Sequence, residues 1–141
     1  MQGWDRPVHY HSGRGRNVLR GLIVRPPWID FLLEGTKTWE IRGSATRIRG
    51  RIALIRAGSG LVVGTADLVD CRPLTQEEFR HATVYHRIPA SQTPHVAYKQ
   101  IFAWVMCHPE AFTEPIFYQH PRGAVIWVDL AHLPLPGGSS W

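Results

Sequence analysis

Apolar positions along the chain follow two periodicities. Leu19 to Val24 is a short run, apolar except for Arg20 and Gly21, and reads as a first strand. Trp28, Ile29, Phe31, Leu32 and Leu33 then recur at helical spacing, behind Pro27 at a first-turn position and ahead of Gly35, which suits the left-handed residue that closes a helix. After this glycine the pattern alternates, putting Trp39 and Ile41 on one side of a strand and Thr38, Glu40 and Arg42 on the other. Ile52 to Ala57 and Leu61 to Cys71 read as two strands joined at Gly58-Ser59-Gly60, with Gly64 marking a bulge or a close backbone approach. Thr75 to Glu78 is a capping-box pattern that opens a short helix ending near His81.

Pro89 and Pro94 break residues 82–99 into an ordered loop that carries Tyr85, His86, His95 and Tyr98. Gln100 to Cys107 is apolar on both faces, as a deeply placed strand is. Pro109 to Phe112 reads as a single helical turn, Pro115 to Tyr118 as a short strand and Val125 to Leu130 as the last strand. The expected organisation is an irregular arm over residues 1–19, one domain over 20–130 and a flexible tail over 131–141. Short strands interrupted by two or three short helices predict an α+β fold, a small and mostly antiparallel β-barrel with helices attached.

Composition narrows the classes. A chain of 141 residues, 44% hydrophobic and 19% charged, is long enough for one well-cored globular domain. No apolar run approaches the roughly 20 residues of a membrane span, and the first residues lack the apolar core of a signal peptide, so a cytoplasmic protein away from membranes is expected. Cys71 and Cys107 are too few for a disulfide framework and form no CxxC pair, which argues for reduced structural cysteines and against a thiolate zinc site. His81, His86 and His95 lack ligand spacing, and neither a metal nor a cofactor is expected. The net charge of +5 is almost all arginine, Lys37 and Lys99 being the only lysines. Arginine grips phosphate at two points and stacks on bases, so this balance leans towards nucleic acid.

The densest charge lies in Gly35 to Arg42, GTKTWEIR. Glu40 and Arg42 on one strand face fit two descriptions, a surface ion pair beside a solvated Lys37 or a cleft wall carrying both signs of charge for a polar ligand. Trp28 fits a core position or the same wall. Arg47, Arg49 and Arg51 recur at alternate positions, as a phosphate track or a charge-protected strand edge would.

Taken together these residues resemble the ASCH domain, a member of the PUA-like superfamily of small RNA-associated barrels, over roughly residues 20–130. The resemblance rests on the Pro-Trp helix entry at Arg25 to Leu33, on Gly35-x-Lys37-x-x-Glu40-x-Arg42, and on Arg49 to Ile52. It continues in Gly64 to Asp67, the Trp104 strand and Gly123 to Trp127. It implies a closed or nearly closed barrel with a cleft lined by the signature lysine, glutamate and arginine. It also implies three functional options.

The first is a binding module for RNA, single-stranded nucleic acid or a nucleoside. There Lys37 and Arg42 contact phosphate or carbonyl oxygens, Glu40 accepts from a base amino group, Trp28 or Tyr98 stacks, and Arg25, Arg47, Arg49 and Arg51 follow the backbone. The second is a metal-independent hydrolase in the same cleft. Family members that deacylate N4-acylated cytidine use a threonine three residues after the lysine; here that position is Glu40, and the nearby Thr38 does not match. Lys37 and Glu40 are then the catalytic candidates, with Thr38 as an alternative. A ribonuclease would draw on Lys37, Arg42, Tyr98 and His95. The third option is a protein-interaction adaptor marked by an exposed apolar patch on residues 82–99.

Overall fold

The computed structural model describes residues 19–95, 98–131 and 133, so the expected N-terminal arm up to residue 18 and almost all of the expected tail lie outside the described residues. Among these residues six strands form one sheet in the order β2-β5-β4-β3-β1-β6. They are β1 (Arg20–Val24), β2 (Trp39–Arg42), β3 (Gly50–Arg56), β4 (Leu61–Leu74), β5 (Ile101–Phe117) and β6 (Trp127–Asp129). All neighbours pair antiparallel except β1 with β3. Three short helices, α1 (Trp28–Glu34), α2 (Gln76–Arg80) and α3 (Thr83–His86), and a 3-10 helix at Ala90–His95 complete the α+β fold. No helix among the described residues is long and apolar enough to cross a membrane.

Local signals placed most of these elements. Gly35 caps α1 with φ of 84°, the left-handed conformation its sequence position predicts. Thr75 and Glu78 satisfy each other's backbone N–H groups in a complete capping box. At Gly64 a side chain would run into the Glu110 carbonyl and Leu33, the close approach expected there.

Four expectations need correction. Pro109 to Phe112 is not a helical turn, and Pro115 to Tyr118 is not a separate strand; residues 109–117 all belong to β5. The long pairing with β4 outweighs the local proline signal, and three register shifts in that ladder absorb the irregularities. Residues 82–99 hold α3 and the 3-10 helix in place of a plain loop. The last strand is shorter than Val125 to Leu130.

Among the described residues the ladder does not close. β2 and β6 are both edges, yet Trp104 of β5 stacks on Trp127 of β6 at 5.8 Å, and Arg42 of β2 donates through Nη2 to the Ile23 carbonyl of β1 at 2.8 Å. The sheet therefore curls until side chains span a seam that backbone pairing leaves open. Leu22, Ile29, Leu54, Leu68 and Trp104 fill the interior beneath α1, and Trp39, Phe79, Ile101 and Val105 form a second cluster under α2 and α3. The open seam is where the site lies.

Candidate functional site

A cleft of about 620 Å³ runs along this seam. Ile23 and Arg25 line one side, Lys37, Glu40, Ile41 and Arg42 the other, and Trp28, Ile88, Gln92 and Tyr98 stand around them. Its size is that of a small-molecule pocket.

Lys37 precedes β2 and is turned inward, with only 2% of its surface exposed. Its Nζ donates to the His86 carbonyl at 2.6 Å, lies 3.7 Å from Glu40 Oε1 and sits 5.2 Å from the centre of the Trp28 ring. Removal from water destabilises an ammonium, and this burial pushes its pKa from 10.5 down to about 8. The neighbouring Glu40 carboxylate opposes the drop, and Arg42 adds to it.

Glu40 is also buried, and its other oxygen, Oε2, accepts from Arg42 Nε at 3.0 Å and lies 2.9 Å from Nη2. The Arg42 guanidinium is 5.4 Å from the centre of the Trp104 ring and is held by the Ile23 carbonyl besides. A lysine, a carboxylate and an arginine are thus fixed in a row, one positive charge in excess. Neither the lysine nor the glutamate belongs to a solvated surface pair. The strand alternation that puts Glu40 and Arg42 on one face is the local cause, and the inward turn of Lys37 is completed by a carbonyl 49 residues away in sequence.

Trp28 and Tyr98 both reach the cleft. Tyr98 is 43% exposed, and its ring lies over Gly43 so closely that a Cβ there would be 2.7 Å from it. Thr38 does not join Glu40 in the cleft. Regular strand starts only at Trp39, so alternation does not reach Thr38, whose backbone bonds Tyr85 and Met106 and which lines a second, smaller cavity.

The arginines divide. Arg25 lines the cleft and is exposed. Arg47 and Arg49 are exposed in the loop before β3, where Arg49 also donates to the Thr46 and Ile48 carbonyls. Arg51 does not continue their track. It lies 3.1 Å from Asp67 and 3.4 Å from Glu110, and donates to the His108 carbonyl at 2.7 Å. Strand alternation cannot align the three, because β3 begins only at Gly50.

Of the histidines weighed as ligands, His81 is exposed. His86 is buried and spends both ring nitrogens within the protein: Nδ1 accepts from the Ile88 N–H at 2.9 Å, and Nε2 bonds the Phe79 carbonyl at 2.8 Å. Burial lowers its pKa, the Phe79 carbonyl resists this, and the Lys37 charge lowers it further, so His86 stays neutral. The His95 side chain lies outside the described residues. On residues 82–99, Val84 is 66% exposed and Tyr85 43%, but Tyr85 stacks on Trp39 at 4.7 Å.

Sequence reasoning missed Ile88 and Gln92, which carry no charge pattern and come to the cleft only through the 82–99 fold. It also missed a cluster of Asp67, Cys107 and His108 on the β4–β5 ladder.

The family model described as ASCH domain matches residues 22–116, more than half of the chain. Solved structures of ASCH from Zymomonas mobilis share the fold. The crystal structure described simply as ASCH is 15% identical, covers 79% of this chain and 86% of its own, and has a TM-score of 0.63. Two mutant forms of that protein behave alike. One is 15% identical over 81% of this chain and 91% of its own at a TM-score of 0.64, and the other 16% identical over 79% and 87% at 0.59. No curated protein matches the chain.

Proposed function

This chain belongs to the ASCH domain family, and on that premise we propose that it is a binding module that takes an unpaired or modified base of RNA into the seam cleft. ASCH domains are in general RNA-associated PUA-like modules, which supplies the class of partner. The observation that carries the reading is the row of buried Lys37 and Glu40 and partly buried Arg42, which lines an open cleft together with the partly exposed Trp28 and the exposed Tyr98. A base needs a flat stacking partner and both donors and acceptors along its edge, and this wall offers Trp28 or Tyr98 for the first. Glu40 accepts from an exocyclic amino group, while Lys37 and Arg42 donate to carbonyl or phosphate oxygens. Arg25, Arg47 and Arg49 bring the backbone to the cleft mouth, whereas Arg51 is committed to Asp67 and Glu110.

One observation favours a second reading, hydrolysis in the same cleft. A lysine with a pKa near 8, 3.7 Å from a carboxylate, is close to the range in which a general base or acid works. Lys37 or Glu40 would then activate water. The threonine used by the cytidine-deacylating branch is replaced by Glu40, so that chemistry would proceed without a covalent threonine intermediate.

Titration of wild type and Lys37→Ala with short single-stranded RNA at two salt concentrations, while RNA and N4-acetylcytidine are followed for turnover, separates the readings. Salt-sensitive binding that is lost in Lys37→Ala, without turnover, supports the module. Turnover by wild type that the variant loses replaces it with the hydrolase. Absence of both removes nucleic acid from the account and favours the adaptor.

A further inference from the structure

The Asp67, Cys107 and His108 cluster lies outside everything assigned to the cleft. Cys107 and His108 are consecutive in β5, and consecutive strand residues point to opposite faces. Here they do not. Asp67 stands opposite Cys107 and Thr65 opposite Glu110, so two steps along β4 correspond to three along β5, and one extra residue is inserted there. His108 takes up the bulge in a left-handed backbone conformation, φ 52°, which is strained for a residue with a side chain.

The result is convergence. His108 Nδ1 comes to 2.9 Å from Asp67 Oδ2 and 3.3 Å from Cys107 Sγ, and all three donor atoms lie within 4.8 Å of one another. Bulges that re-aim a side chain in this way recur beside functional sites.

We propose that Asp67, Cys107 and His108 form a three-ligand site for a divalent ion of the zinc type, with the remaining coordination position open to solvent. The donor set of thiolate, imidazole and carboxylate is the one such ions take. Tetrahedral bonds of about 2.0–2.3 Å separate donor atoms by somewhat more than the distances seen, so the site needs a small outward movement. His108 can make it, since its side chain is 77% exposed.

Arg51 holds Asp67 Oδ1 at 3.1 Å and leaves Oδ2 directed at the site, as an outer partner orients a ligand. Charges also balance. A dication is offset by the Cys107 thiolate and Asp67, and Arg51 is matched by Glu110. On binding, the thiol gives up its proton to solvent, and the proton that His108 Nδ1 donates to Asp67 Oδ2 moves to Nε2, so that Nδ1 presents its lone pair to the ion. One proton leaves per ion. The two cavities share only Lys37 among their lining residues, so the cleft reading and this one stand or fall separately.

The test is Co²⁺ titration of the full chain under reducing conditions, read by absorption, followed by displacement with Zn²⁺. The expected result is one ion per chain, a thiolate-to-cobalt charge-transfer band and tetrahedral visible bands, all displaced by zinc. Cys107→Ser should abolish the charge-transfer band, His108→Ala should weaken binding at least about tenfold, the scale on which even outer partners act, and Cys71→Ser should change neither. Circular dichroism confirms that each variant folds, and His108→Ala, at an exposed position, tests the site even if Cys107→Ser does not fold. The absence of a charge-transfer band in wild type overturns the proposal, as does a band that survives Cys107→Ser or is lost with Cys71→Ser.

Discussion

Replacing Lys37 by methionine keeps most of the side-chain volume and removes the buried charge, so the folded state should respond to pH differently. The unfolded chain holds the lysine proton up to a pH of about 10.5, while the folded chain releases it near 8. Below 8 both states are protonated, and the cost of the buried ammonium is constant. Between 8 and 10.5 the unfolded state binds more protons, so stability contributed at this site rises with pH. Two and a half pH units at about 1.4 kcal/mol each come to roughly 3 kcal/mol.

Urea unfolding followed by tryptophan fluorescence, at a series of pH values from about 7 to about 10.5, measures the gap between the two proteins. Lys37→Met should have its largest advantage over wild type at neutral pH. That advantage should shrink by roughly 3 kcal/mol as the pH rises through the window. Titration of tyrosines, cysteines and Lys99 is common to both proteins and cancels in the difference. A gap that stays constant, or widens with pH, would refute the claim that Lys37 is buried as a strained cation.

Three further changes probe the neighbouring parts. Glu40→Gln removes an acceptor and a charge but leaves the Arg42 bond to Ile23, so the protein should fold and its affinity for single-stranded RNA, measured by fluorescence anisotropy, should fall about tenfold, as expected for losing a charge-assisted hydrogen bond. Gly43→Ala puts a methyl group 2.7 Å from the half-exposed Tyr98 ring; the ring should swing away, leaving the melting temperature nearly unchanged and weakening RNA binding severalfold. Asp30, whose carboxyl Arg56 holds below its usual range through bonds of 2.6 and 3.2 Å, is partly exposed, so Asp30→Asn should cost less than about 1 kcal/mol in urea unfolding. The Asp30 contribution should be complete above the ordinary carboxyl range and vanish as the pH falls through and below it.

Where a signal is local, the sequence was a sufficient guide. Gly35 closes α1 because a residue without Cβ tolerates the left-handed turn, and Thr75 with Glu78 opens α2 because both groups lie within one helical turn. The alternation in Trp39 to Arg42 likewise brought Glu40 and Arg42 to one face and into the cleft. Where pairing is distant, local signals misled. Pro109 and Pro115 suggest interruption, but β4 pairs with β5 on both sides of them, and bulges accommodate residues that cannot take their place in a regular ladder.

The same non-local geometry hid the Cys107 and His108 convergence, since only a register shift against β4 turns neighbouring side chains the same way. It also hid the depth of Lys37. A lysine beside a glutamate and an arginine reads equally well as a surface cluster, and what decides the matter is the His86 carbonyl and the Trp28 ring closing over it. The open seam follows from the edges of the sheet, which no local pattern reports.

The central claim is that RNA enters this seam, and a nuclear magnetic resonance titration of the labelled protein with a short unstructured RNA tests it most directly. Saturable shifts of the Trp28 indole, the Arg42 side chain and Tyr98, with little change at Phe117 on the far part of β5, are predicted. Shifts confined to Arg47 and Arg49, with the Trp28 and Arg42 signals unmoved at saturation, would contradict it.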